Sequence, residues 1–112
     1  MRLREMQEIF AKNIAKLITI IFEKGYTCTL GEAWRPPEMA EIYAKEGKGI
    51  KDSLHCNRLA LDINLFKNGQ YLSTDIAHKP FGDIWESIHE NNRWGGRYGD
   101  GNHYEMLSGK RE

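Results

Sequence analysis

Two short clusters of metal-binding side chains lie far apart in this chain, and any fold it adopts has to answer to both. The first runs from Ser53 to Asp62 and contains His55, seven residues ahead of Asp62; the second holds Asp100, His103 and Glu105. Together they supply two imidazoles and a carboxylate for zinc, with a further acid beside them. Three protein ligands that leave a fourth position to water are the arrangement of a catalytic zinc, whereas structural zinc is usually closed by four ligands rich in Cys. The residues therefore point to a small zinc hydrolase. A strand-like pattern intervenes between His55 and Asp62, so they are not neighbours on one helix face. We place His55 at the end of a loop and Asp62 within the following strand.

The length of 112 residues allows one domain, spanning 1–112, with a core that is modest relative to its surface. Lys plus Arg equals Asp plus Glu at 16 each, which removes the basic field expected of a protein that binds nucleic-acid phosphates. Cys28 and Cys56 are too few for a disulfide framework and lack C-x-x-C spacing, so the chain reads as made in a reducing cytoplasm. Arg2 and Arg4 could open a secretory leader, but Glu5, Glu8, Lys12, Lys16 and Glu23 break the apolar run that would follow. That run is too short to insert stably into a membrane.

Met6, Phe10, Ile14, Leu17 and Ile21 recur at three- and four-residue steps, flanked by Ile9, Ile18 and Phe22, and predict an amphipathic N-terminal helix ended by Gly25. Residues 26–30 are strand formers, and Pro36 and Pro37 permit a short helix over Glu38 to Glu46. Residues 47–52 have the Gly and charge of a mobile surface loop that delivers the chain to Ser53 and His55. Leu59 to Phe66 reads as a strand, turned over Lys67, Asn68, Gly69 and Gln70 into a hairpin with Tyr71 and Leu72. Phe81, Ile84, Trp85 and Ile88 mark another helix, ending near Asn91 and Asn92. A glycine-rich loop over Trp94 to Gly99 then leads to a last strand around His103 to Met106. The fold class is α+β: a small, mainly antiparallel sheet with an N-terminal helix and two shorter helices.

The pattern Ser-x-His-x-x-x-x-Ala-x-Asp, present as Ser53, His55, Ala60 and Asp62, followed by acid-x-x-His at Asp100 and His103, resembles the zinc D-alanyl-D-alanine peptidases. That family includes vancomycin-resistance dipeptidases and the phage endolysins that cut the L-alanyl-D-glutamate bond. The segment Glu32 to Glu38, with Trp34 and Arg35, is similar to the aromatic-Arg strand end of the family, and Trp94, Gly95 and Gly96 to the turn ahead of its last ligand. The resemblance covers roughly residues 25 to 106, in the right order. It departs at Arg58, which stands where Gly is frequent, and at Asp100, where the dipeptidases have Glu.

The resemblance implies a Hedgehog/DD-peptidase-like fold and zinc held by His55, Asp62 and His103. It also implies Asp100 as the base that takes a proton from water and returns it to the leaving amine. Arg35 would face the substrate carbonyl or carboxylate and stabilise the oxyanion. Ser53 would orient a ligand. The implied substrate is a peptidoglycan stem peptide, cut by a monomeric, endolysin-type endopeptidase made without a signal peptide and released by an agent such as a holin. A carboxypeptidase or dipeptidase, or an inactive zinc-bearing wall-binding module, are the alternatives.

Duller readings compete. Arg35 can simply pair with Glu32 or Glu38, and Asp100 between two glycines is ordinary turn composition. Glu105 competes for the base role, although alternation along a strand puts it on the same face as His103, which suits a partner of a ligand or of Arg35. Cys56 adjoins His55, but adjacent strand-like residues point oppositely. His78 and His89 read as surface or helix-packing residues. Trp34, Tyr43, Trp94, Tyr98 and Tyr104 are candidate substrate contacts.

Overall fold

The computed structural model describes residues 1–47 and 53–112. From residue 48 to 52, the loop expected ahead of Ser53 lies outside the described residues.

The apolar stripe at the N-terminus forms α1, Leu3–Glu23, and buries Met6, Phe10, Leu17 and Ile21. Asn13 is also buried on this stripe, while Ile14 is only partly covered. Gly25 ends the helix at φ +85°, with Tyr26 N–H donating to Ile21 O at 3.2 Å and Gly25 N–H to Phe22 O at 3.1 Å. This paired closure satisfies carbonyls the last turn would otherwise leave open, and the left-handed residue it needs is easiest for Gly.

Five strands follow among the described residues: β1 (Thr27–Leu30), β2 (Ala60–Lys67), β3 (Gln70–Leu72), β4 (Asn92–Trp94) and β5 (His103–Met106). Their order is β1-β2-β5-β4, all pairs antiparallel, with β3 paired to the far half of β2. Asn68 and Gly69 both have positive φ and join β2 to β3 as a two-residue turn, whose twist matches that of the flanking strands. Helix α2 spans Pro37–Lys45, one residue earlier than expected, with Pro in its first turn, where a missing N–H is harmless. Helix α3 spans Asp75–Ile88 and stops short of Asn91, because His89 is already extended and Asn92 opens β4. The stretch expected to be a glycine-rich loop thus begins in a strand at Trp94 and continues as a 3-10 turn over Gly95–Tyr98.

Alternation along the sheet sorts its side chains into two sets. Leu61, Ile63 and Leu65 of β2, Tyr104 and Met106 of β5, and Trp94 of β4 join one apolar core with α1 and with Phe81 and Trp85 of α3. Trp85 stands edge-on to both Phe10 and Tyr104, and its indole N–H donates to Glu105 O at 3.0 Å. His78 of α3 is buried in the same layer, bonded to the Tyr104 hydroxyl at 2.8 Å, so it packs the helix and is not a surface residue. The alternate positions, Asp62, His103, Glu105 and Arg93, fall on the face away from this core.

Candidate metal centre

Asp62 and His103 are direct partners in the β2–β5 register. The backbone of Asp62 bonds away from β5: its O accepts from Gly31 N–H at 2.7 Å and its N–H donates to Glu32 O at 3.0 Å. Asp62 and His103 therefore form a non-hydrogen-bonded pair, the kind in which facing side chains come closest. Two residues, Gly31 and Glu32, oppose one across the same line, which is a β-bulge. A Cβ on Gly31 would lie 3.0 Å from Asp62 Cβ, so Gly gives this carboxylate its room.

His55 comes from a 3-10 turn, Leu54–Asn57. Ser53 caps it by accepting His55 N–H at 3.2 Å, and Arg35 N–H donates to His55 O at 3.2 Å. The turn closes at Arg58 in the left-handed region, φ 57°, which explains why Gly suits this position. The Arg58 guanidinium lies over the Trp34 ring, 4.9 Å from its centroid.

Three ligand atoms converge. His55 Nε2 lies 3.2 Å from Asp62 Oδ1 and 3.2 Å from His103 Nδ1, and His103 Nδ1 lies 3.3 Å from Asp62 Oδ1. Ligands about 2.0–2.1 Å from a tetrahedral zinc stand roughly 3.3–3.4 Å from one another. The triangle thus has the size of one face of a zinc tetrahedron, with donors of the kind zinc takes. The charge is suited too. Burial alone would raise the Asp62 pKa, but hydrogen bonds and charge from His103 and His55 bring it down to about 2. Burial would lower that of His103, yet Asp62 and Glu105 hold it up to about 9. The two carboxylates create a negative well that favours a cation.

Each imidazole is backed by a glutamate, and each glutamate by an arginine. Glu105 Oε1 lies 2.6 Å from His103 Nε2 and accepts a hydrogen bond from its N–H, which turns Nδ1 toward the converging point. The same carboxylate accepts from the Tyr98 hydroxyl at 3.1 Å and from Arg93, and is 5% exposed. Burial opposes its ionisation, but His103 and Arg93 keep its pKa below the usual range. On the other side Glu32 Oε1 accepts from Arg35 at 2.6 and 2.7 Å and faces His55 Nδ1 at 3.7 Å, a buried nitrogen with no hydrogen-bond partner among the described residues. Arg35 also lies over the Tyr43 ring. Of the two acids offered as its partners, Arg35 takes Glu32. That Glu32 also faces a histidine of the cluster was hidden in the sequence, because the bulge that aims it depends on the partner strand.

Asp100 stands just outside the triangle, its Oδ2 3.9 Å from His103 Nδ1 and its side chain 52% exposed. Burial, opposed by His103 and reinforced by Asp62, raises its pKa.

No protein-family model and no curated protein matches this chain. Among solved structures, it is similar to the crystal structure of the L-Ala D-Glu endopeptidase ChiX of Serratia marcescens, with a TM-score of 0.69 at 15% identity, covering 95% of this chain and 86% of that one. The two share a fold.

Two expected substrate contacts have to be withdrawn. Tyr104 is fully buried and Trp94 is 8% exposed, because both alternate with site residues and point into the core. Trp34 and Tyr98 keep 45% and 52% of their surface open. Cys56 lies in the 3-10 turn and not in a strand, so its separation from His55 comes from about a third of a turn per residue. His89 accepts Asn91 N–H through Nδ1 and takes no part in the cluster.

Proposed function

We propose that this chain is a zinc-dependent peptidoglycan peptidase that hydrolyses a stem-peptide amide, acting as an L-alanyl-D-glutamate endopeptidase of the endolysin type. The observation that carries this reading is the zinc-sized triangle of His55, Asp62 and His103 with an unbonded acid, Asp100, at its rim. The fold shared with an L-Ala D-Glu endopeptidase supports the choice of substrate.

When bound, zinc supplies Lewis acidity toward the scissile carbonyl and lowers the pKa of water to about 7. Asp100 takes the proton from the attacking water and delivers it to the amide nitrogen as the C–N bond breaks. Arg35, fixed by Glu32, presents a preorganised positive charge to the developing oxyanion. Glu105 sets the orientation of His103 through its hydrogen bond to Nε2, and Glu32 places a negative charge 3.7 Å from His55 Nδ1. Trp34 and Tyr98 offer exposed rings to the substrate. No helix among the described residues is long and apolar enough to cross a membrane.

The test is mass spectrometry of purified peptidoglycan after digestion, with zinc measured on the same preparation. About one zinc per chain and fragments with a new D-glutamate amino terminus are expected, both lost in His55→Ala and His103→Ala. Release of a terminal D-alanine alone would shift the reading to a carboxypeptidase. Full activity in both variants, or in the presence of a strong chelator, would overturn it.

A further inference from the structure

The turn that carries Asp100 and His103 is held by two side chains to which the mechanism assigns nothing. Asp75, the first residue of α3, accepts Gly101 N–H through Oδ1 at 2.8 Å. Trp94, at the end of β4, donates its indole N–H to Gly101 O at 2.7 Å. Both polar groups of one buried residue are thus occupied by side chains from two different elements.

The surroundings leave these contacts little freedom. A Cβ on Gly101 would lie 2.5 Å from Asp75 Oδ1 and 2.8 Å from its Cα, so only glycine lets the carboxylate approach. Built on Gly82 or Gly96, it would fall 2.2 or 2.1 Å from the Trp94 ring. The indole is wedged between two glycines and cannot swing its N–H away. The rest of the turn is tied down by backbone bonds: Asp100 N–H donates to Gly95 O at 2.9 Å, His103 N–H to Asp100 O at 3.1 Å, and Ile63 N–H to Asn102 O at 2.8 Å.

We propose that Asp75 and Trp94 are positioning residues, which fix the Gly101 peptide and so the directions in which Asp100 and His103 project. The catalytic part of this inference rests on the reading of Asp100 as the proton-transferring acid. A competing explanation exists for Asp75, since an acid in the first turn of a helix favours the helix dipole whatever else it touches. The two accounts part at Asp75→Asn. The amide keeps an acceptor for Gly101 N–H but loses the charge that the dipole needs.

The experiment compares Asp75→Ala, Asp75→Asn and Trp94→Phe in three readouts: amide hydrogen exchange at Gly101 by NMR, the absorption spectrum of the Co2+-loaded protein, and kcat and KM on a soluble stem peptide. Asp75→Ala is expected to speed Gly101 exchange and shift the Co2+ bands. It should also lower kcat by about tenfold or more, since displacements of about 1 Å at reacting groups cost up to about a hundredfold, with KM little changed. Asp75→Asn should restore all three. Trp94→Phe, whose ring still fits between the glycines, should reproduce the alanine phenotype if Asp75→Ala does not fold. The proposal is overturned if Asp75→Ala keeps the wild-type exchange and spectrum, or if Asp75→Asn is as damaged as Asp75→Ala. Full activity in Asp100→Asn would instead overturn the reading of the base, and Gly101 exchange with the Co2+ spectrum would still decide the clamp.

Discussion

Replacing Glu105 by Gln changes one charge and almost no volume at the most enclosed carboxylate of the site. The amide oxygen can still accept from His103 Nε2–H and from Tyr98, whereas the amide nitrogen turns donors toward Arg93, where a carboxylate oxygen had accepted. The loss therefore divides into two parts. Toward Arg93, whose side chain is 38% exposed, water replaces much of what is lost, so this part costs under about 1 kcal/mol. Toward His103 the negative charge that raised the basicity of the ligand is gone, and changes at such outer partners cost about 10- to 100-fold in metal affinity, or roughly 1.4–2.7 kcal/mol. Zinc competition with a chromophoric chelator, at fixed pH, should show the zinc Kd rising by that factor. The melting temperature of the metal-free protein should fall by only a few degrees. Arg93→Met leaves the Glu105–His103 bond in place and should weaken zinc less. An unchanged zinc Kd in Glu105→Gln, or a larger effect from Arg93→Met, would refute the argument that Glu105 acts through the histidine.

Asp100→Asn should keep stoichiometric zinc by elemental analysis while losing about a hundredfold or more in hydrolysis rate; loss of zinc would make Asp100 a ligand instead. Gly82→Ala places a Cβ 2.2 Å from the Trp94 ring, and chemical denaturation should show it destabilised by about 1–3 kcal/mol or more. Burial lowers the His78 pKa below 6.5, against the charge of Asp75, so the unfolded chain binds this proton more readily than the folded one. Stability should therefore fall as pH drops below 6.5 toward the lower folded value, and His78→Gln, compared with wild type in chelator, should flatten part of that slope.

What could be read from the sequence was what repeats locally or follows from a turn. The three- and four-residue spacing of Met6, Phe10, Ile14, Leu17 and Ile21 identified α1, and the turn residues between Lys67 and Gln70 identified the β2–β3 hairpin. The strand alternation that set Glu105 beside His103 also required Tyr104 to point the other way. Treating Tyr104 as a substrate contact ignored half of that rule. Strand β4 escaped because it has three residues, one of them the polar Asn92, whose buried side chain donates through Nδ2 to Trp85 O at 3.0 Å. Glu32 and Asp75 acquire their places at the site through a bulge and a helix start that meet distant segments, and no local pattern announces such meetings.

The pairing of β2 with β5 joins Asp62 to His103 across 41 positions and Ala60 to Glu105 across 45, the longest separations of any strand pair in the sheet. During folding this contact exacts the largest loop-closure entropy, and it completes the three-atom cluster. An ion held there is a clasp between the first part of the chain and its last strand. A covalent cross-link closing a loop of that length would restrict the unfolded chain by about 4 kcal/mol, which bounds what the clasp could contribute by that route alone. Stripping the ion would accordingly loosen β5 from β2 ahead of the β2–β3 hairpin, whose two-residue turn keeps its strands together by itself.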